Sequence, residues 1–269
     1  MDAVVEQLRA VAPAGLDRMA LQKILPAGAA RNALDCALWD LEAKRAGVRV
    51  SNLLKMGPPR PLECAFTISL ADPGTMRQMA SEHADMPVLK LKLGSKDDLQ
   101  CVAAVRAGAP AAKLIVDANE GWTPEKYLRI VPELKRLGVG MIEQPLPADD
   151  DAALADMPHP IPVCADESCH DSDSVGQLAN RYEMVNIKLD KTGGLTEALR
   201  LRAAAIDADL RIMVGCMVGT SLAMAPAMLV AQNAEIVDLD GPLLLARDRD
   251  HGIEYVGGSM RPAAAALWG

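Results

Sequence analysis

The sequence predicts an α/β fold whose main body is a barrel of eight strands. Three observations point there. From residue 64 onward, eight short apolar runs alternate with helix-length segments. Three successive runs end in an acid: Lys113-Leu-Ile-Val-Asp117, Val139-Gly-Met-Ile-Glu143 and Ile161-Pro-Val-Cys-Ala-Asp166. A Gly57-Pro-Pro-Arg-Pro61 linker separates this alternating part from a helical beginning. Eight strands with helices between them favour a closed barrel over an open sheet, and such barrels carry their chemistry at the C-terminal ends of the strands.

Residues 1–25 read as one weakly amphipathic helix, followed by a Pro-Ala-Gly break. Residues 29–45 form a stronger helix with Leu34, Ala37, Leu38 and Leu41 on one face and Gly47 at its end. The expected strands are 64–70, 88–93, 113–117, 139–143, 162–166, 184–189, 211–215 and 235–239. Helices are expected between most of them, for example over 97–107, 124–137, 172–180, 195–208 and 222–232. Residues 252–258 read as a short extended piece outside the eight. This divides the chain into a helical part (1–60), a barrel (61–245) and a C-terminal segment (246–269).

Bulk properties narrow the function classes. A chain of 269 residues, half of them hydrophobic, can bury one large domain, with or without a small one. A net charge of −8 and a pI near 5.1 argue against nucleic acid or anionic membrane as partner. The six cysteines are scattered without a Cys-x-x-Cys pair, which argues against a disulfide framework or zinc site and for a reducing cytoplasm. Asp2 and Glu6 near the start argue against a signal peptide. No charge occurs between Arg211 and Glu235, long enough to span a bilayer, but Gly215, Gly219, Thr220, Ser221, Pro226 and Gln232 interrupt the run. It reads instead as a buried strand, a loop and a buried helix that Ser221 could cap.

Three carboxylates meeting at one end of a sheet repel one another and lose hydration, so they need a cation. Hard oxygen donors without Cys or His suit Mg²⁺ better than Zn²⁺. Strand side chains alternate, so Lys90 and Lys92 share a face, as do Asn186, Lys188 and Asp190, whereas Lys191 has the other parity. Second and sixth strands of an eight-stranded barrel are roughly opposite, so Lys92 and Lys188 would flank a central ligand. That arrangement suits removal of a proton from a carbon beside a carboxylate, the resulting enediolate being stabilised by a divalent ion. Two bases on opposite faces invert the carbon.

The motifs Lys90-x-Lys92, Asp117-Ala-Asn119, Glu143-Gln-Pro145, Asp166-Glu-Ser168 and Asn186-Ile-Lys188, in this order, resemble the enolase superfamily, muconate-lactonizing subgroup. Within it the similarity is greatest to dipeptide epimerases of the L-Ala-D/L-Glu type. The resemblance implies a TIM-like (β/α)7β barrel with an α+β capping domain. It also implies Mg²⁺ on Asp117, Glu143 and Asp166, acid/base catalysis by Lys92 and Lys188, and Lys90 at the substrate carboxylate. Asp238-Leu-Asp240 on the eighth strand places two acids on one face, able to hold an ammonium group, and in dipeptide epimerases this pair binds the N-terminal ammonium. Met217, in the loop after the seventh strand, could line the side-chain pocket or lie in the core.

Asn119 and Asn186 have the parity to orient ligands, and Glu167 is expected behind Asp166. His83, His159, His170 and His251 form no cluster and read as loop or surface residues. Asp149-Asp-Asp151 reads as a solvated loop. The family's cap begins with a small antiparallel sheet and two loops over the site, without counterpart here. The cap is therefore expected to be partial and N-terminally truncated, with weaker specificity and a second subunit of a homo-oligomer covering the mouth. Competing readings are N-acylamino acid racemization, o-succinylbenzoate synthesis, and a metal-binding barrel with little activity. The acid pair on the eighth strand disfavours the first two.

Overall fold

The computed structural model describes residues 2–11 and 15–269. It opens with helices α1 (Asp2–Val11), α2 (Arg18–Ile24), α3 (Ala29–Ala46) and α4 (Val50–Leu53). The single helix expected over 1–25 is thus two. Asp17, in extended backbone, caps α2 by accepting from Ala20 N at 2.7 Å. Gly47 ends α3 in the left-handed conformation, φ 65°, which costs a glycine little.

The leucine face foreseen for α3 is not its most buried one. Leu34 and Leu38 pack under α1 and α2, and Leu41 is 40% exposed. The face turned to the barrel carries Arg31, Asp35, Trp39 and Ala43, while Ala30 packs with Leu21 and Leu25. Two charges are buried there because each meets hydrogen-bonding groups of the barrel: Arg31 meets the carbonyls of Thr192 and Gly193, Asp35 the Thr196 amide.

The barrel strands are β2 (Phe66–Ile68), β3 (Val88–Lys92), β4 (Lys113–Asp117), β5 (Val139–Glu143), β6 (Val163–Ala165), β7 (Met184–Ile187), β8 (Arg211–Gly215) and β9 (Ile236–Asp238). They pair in parallel in chain order, and Ala65 N donating to Val237 O at 2.8 Å closes the ring. Connecting helices include α5 (Pro73–Glu82), which the sequence reading did not name, α6 (Asp98–Gly108), α7 (Pro124–Arg136), α10 (Leu195–Asp207) and α11 (Ser221–Val230). The helix expected over 172–180 is a 3₁₀ turn, Ser172–Ser174, running into the short α8 (Val175–Leu178). Another short helix, α9 (Leu189–Thr192), follows β7 directly. Outside the ring, β1 (Leu62–Glu63), β10 (Tyr255–Val256) and β11 (Ser259–Met260) form an antiparallel sheet, so the extended piece expected near 252–258 is half of a hairpin.

The uncharged run 212–234 lies in β8, a loop and α11, and no helix among the described residues is long and apolar enough to cross a membrane. Ser221 does not cap α11. Thr220 holds the cap position without a side-chain bond, and Asp248 supplies the acceptor, taking Ser221 N at 2.9 Å and the Ser221 hydroxyl.

Each strand sends one residue into a common plug: Ala65, Val88, Ile115, Met141, Cys164, Met184, Met213 and Ile236. The sheet's alternation then dictates what lies above. Two residues further along each strand the same inward face carries Thr67, Lys90, Asp117, Glu143, Asp166, Asn186, Gly215 and Asp238. A dry apolar layer supports a polar one, at the C-terminal ends of the strands.

Candidate active site

That polar layer is almost wholly buried. Asp117 and Glu143 are 0% exposed, Lys90 and Asp166 2%, Asp238 4%. Parallel pairing sets Lys92 opposite Asp117 and Asp117 opposite Glu143, and the next strand brings Asp166 alongside. One carboxylate oxygen from each of Asp117, Glu143 and Asp166 lies within 4.8 Å of the others.

Lysines surround this trio. Lys90 Nζ stands 2.7 Å from Asp238 Oδ2, 2.7 Å from Glu143 Oε2 and 3.1 Å from Asp117 Oδ2. Lys92 donates to Asp117 Oδ2 at 2.6 Å, and Lys188 to Asp166 Oδ2 at 2.5 Å. Lys92 ends β3 and Lys188 follows β7, four strands apart in a ring of eight, hence on opposite sides.

Neighbouring groups fix the carboxylates. Asn186 donates through Nδ2 to Glu143 Oε1 at 2.7 Å. A Cβ on Gly215 would stand 2.7 Å from Asn186 Oδ1, so glycine leaves this amide its place. Asn119 donates its backbone N–H to Asp117 Oδ1 at 3.0 Å and its side chain to Glu167 Oε1 at 3.4 Å. Its own φ is +43°, left-handed backbone that asparagine tolerates.

On β9, Asp238 gives one oxygen to Lys90 while its Oδ1 is buried without a hydrogen-bond partner. Asp240, beyond the strand, accepts Thr67 N at 2.7 Å. Met217, 49% exposed, stands at the rim with Val218 and is not core. These groups line a cavity of ≈ 280 Å³. A larger cavity of ≈ 400 Å³ between α3 and α11 has no Lys or Arg in its lining and none of the carboxylate trio.

Sequence reasoning missed two features. Lys191 was placed on the other face by alternation, yet it donates to Asp166 Oδ1 at 2.5 Å and to Asn186 O at 3.1 Å. The strand ends at Ile187 and α9 begins at Leu189, so the period of two no longer applies. For the same reason Asp190 turns away from the mouth and accepts from Asn32 Nδ2 at 3.2 Å. The Gly193-Gly194 pair was the available sign of an early helical stop.

The second is Gln144, with Asp151. Gln144 accepts Asp166 N at 2.8 Å and donates to Leu146 O, Ser168 Oγ and Tyr182 OH. Asp151 is 2% exposed, not solvated, because Ser168, Arg181 and Tyr182 all donate to it at 2.6 Å. His159 is likewise no free surface residue, since its Nδ1 lies 2.8 Å from Glu183 Oε1.

Residues 75–265 match the enolase C-terminal domain-like family, and residues 4–55 match the N-terminal domain of mandelate racemase / muconate lactonizing enzyme. The chain belongs to the enolase superfamily. It is 48% identical over 245 residues to an N-acetyl-D-glutamate racemase of Pseudoalteromonas, covering 91% of this chain and 78% of the relative. It is 46% identical over 262 residues to an L-Ala-D/L-Glu epimerase of Escherichia coli, covering 96% of this chain and 82% of the relative. A solved enolase family member from Agrobacterium tumefaciens with homology to dipeptide epimerases, bound to sodium and L-Ala-L-Glu, superposes with a TM-score of 0.98 at 51% identity, covering 100% of this chain and 83% of that one.

In this enolase-superfamily barrel the trio's electrostatics favour a cation. Burial, with the Asp117 charge adding to it, pushes the Glu143 carboxyl up to about 8 despite Lys90. Burial also raises Asp117 and Asp166, but the lysines outweigh it: Lys90 and Lys92 hold Asp117 low, Lys191 and Lys188 hold Asp166 low. Burial works against the Lys90 ammonium, yet Asp238, Glu143 and Asp117 keep it firmly protonated. Burial and the neighbouring Asp238 raise Asp240 to about 6. Three buried oxygen donors from separate strands, with Glu143 Oε2 lacking an aligned hydrogen bond, fit a small hard cation.

Proposed function

We propose that this enzyme is a Mg²⁺-dependent dipeptide epimerase that inverts the α-carbon of the C-terminal residue of an L-Ala-X dipeptide, such as L-Ala-D/L-Glu. The observation that carries the reading is the placement of Lys92 and Lys188 at the ends of strands four apart, each against a different member of the carboxylate trio. Asp117, Glu143 and Asp166 hold the ion. When bound, it supplies positive charge that stabilises the substrate carboxylate as its α-carbon loses a proton.

The remaining steps belong to this chain's side chains. One lysine, as the neutral amine, takes the α-proton from its face and the other, as the ammonium, returns a proton to the opposite face, so the centre is inverted. General acid–base assistance of this kind is worth about 10²–10⁴-fold each. Lys90, fully tied to carboxylates, stays an ammonium and adds fixed positive charge beside the substrate carboxylate. Asp238 and Asp240 take the dipeptide's ammonium group. The unpartnered Asp238 Oδ1, and an Asp240 that burial and its neighbour hold near 6, both gain from a cation there. Asn119 and Asn186 hold Asp117 and Glu143 in orientation, and Met217 borders the substrate's side chain at the rim. The helical part and the barrel act as cap and catalytic body, and a cytoplasmic homo-oligomer completes the reading.

A second reading is N-acylamino acid racemization, favoured by the 48% identity to the N-acetyl-D-glutamate racemase. The same lysines and carboxylates would serve it, but its substrate offers no ammonium to the acid pair. Polarimetry with L-Ala-L-Glu and N-acetyl-L-glutamate side by side separates the two. The dipeptide reading expects kcat/KM higher for the dipeptide, and Asp238→Asn to abolish that preference. A higher value for N-acetylglutamate sinks it.

A further inference from the structure

The helix α3 reaches into the segment that carries Lys188, and it does so with charge. Arg31 is 8% exposed and Asp35 0%, one helical turn apart on the face turned to the barrel. Arg31 donates to Thr192 O at 2.7 Å and Gly193 O at 3.2 Å, the carbonyl end of α9. Asp35 accepts Thr196 N at 2.9 Å, in the first turn of α10. The two helix ends have opposite partial charges, positive at an N-terminus and negative at a C-terminus. The acid and the base on α3 are matched to them in that sense.

The intervening turn is shaped to admit both side chains. Gly193 and Gly194 have φ of +70° and +119°. A Cβ on Gly193 would stand 2.5 Å from Arg31 Nε, and one on Gly194 2.5 Å from Asp35 Cβ. The contact continues to Lys188 through the backbone, since Thr192 N and Lys191 N both donate to Lys188 O at 3.0 Å. Lys92, across the ring, has no such link among the described residues. It is the last residue of β3 and is held by strand pairing.

We infer that Arg31 and Asp35 are positioning residues for Lys188: by gripping the two helix ends on either side of Gly193-Gly194 they set where the Lys188 and Lys191 ammoniums stand over Asp166. The helical part of the chain therefore tunes one of the two proton-transfer faces and leaves the other alone. This rests on the two-base reading above.

The test exploits that asymmetry. The protein is incubated with Mg²⁺ in D₂O, separately with L-Ala-L-Glu and L-Ala-D-Glu, and loss of each α-proton is followed by NMR. The Lys188→Ala variant identifies the epimer that Lys188 serves. Arg31→Met is expected to slow exchange from that epimer by about 10- to 100-fold, the scale of a misplacement near 1 Å, with exchange from the other epimer changed less than about threefold on the same scale. Asp35→Asn, which keeps the acceptor oxygen and loses the charge, shifts the ratio in the same direction by less. Arg31→Lys, which can reach one carbonyl, falls between and takes the place of Arg31→Met if that variant does not fold. Equal slowing of both epimers, or none, overturns the positioning role while the epimerase reading stands. Absence of exchange from either epimer in the unmodified protein overturns the epimerase reading and this inference with it.

Discussion

On the proposed reading, Asp240 is the single group on which substrate choice turns most directly. Burial and the Asp238 charge hold its carboxyl near 6, so it is charged at neutral pH and gains a proton as pH falls through that value. Its attraction for an ammonium group is present above about pH 6 and lost below. The ratio of kcat/KM for L-Ala-L-Glu to that for N-acetyl-L-glutamate is therefore expected to fall as pH drops from 7.5 to 5. Steady-state kinetics on both substrates measure it, and Asp240→Asn should flatten the profile. The ratio cancels titrations that both substrates share, so a pH-independent ratio speaks against the acid pair. At this scale alternation made much of the site legible. Lys90, Asp117, Glu143, Asp166, Asn186 and Asp238 all sit two residues above the apolar plug of their own strand. The rule failed at Lys191, which lies beyond the strand end. Asp151, read from its acidic run as a solvated loop, owes its burial to Arg181 and Tyr182, about thirty residues away in sequence.

Between elements, two joints decide whether the strands present their residues correctly. The first is β7 against β8. A methyl at Gly215 would collide with Asn186 and push its amide off Glu143. Gly215→Ala is expected to cost about 1–3 kcal/mol of stability, as overpacking does. It should also weaken Mg²⁺ binding in equilibrium dialysis, whereas simple loss of stability leaves the folded fraction's affinity intact. The second joint is the start of α11, where Asp248 takes both the Ser221 amide and hydroxyl. Asp248→Ala should lower stability by about 0.5–2 kcal/mol in urea titration, the range of a lost N-cap acceptor. The sequence offered Ser221 as its own cap because it begins an apolar run. It could not reveal that an acid 27 residues later returns to fill that role. The same holds for α3, whose leucines suggested a buried face that the structure gives instead to Arg31 and Asp35.

Over the whole molecule, the barrel gathers three buried carboxylates that could hold one cation, so the proposed metal site couples ion binding to stability. An ion that binds the folded chain alone at 100 times its Kd stabilises it by about 2.7 kcal/mol. Removing divalent metal with a chelator is expected to lower Tm by about 5 °C or more. Refilling with Mg²⁺ should restore it, and Asp117→Asn should abolish the difference. The eight-strand alternation was legible because parallel strands buried on both faces read as largely apolar runs. The division of the leading segment into α1 and α2 was not legible, since Asp17 acts as a cap only in context. The central claim is that two lysines on opposite sides of the ring serve opposite faces of one carbon. Proton exchange by the single lysine variants in D₂O with Mg²⁺ tests it most directly. Lys92→Ala and Lys188→Ala should each abolish epimerisation, and each should keep exchange from a different epimer of L-Ala-Glu. Loss of the same epimer's exchange in both variants, or exchange persisting in the double variant, would contradict it.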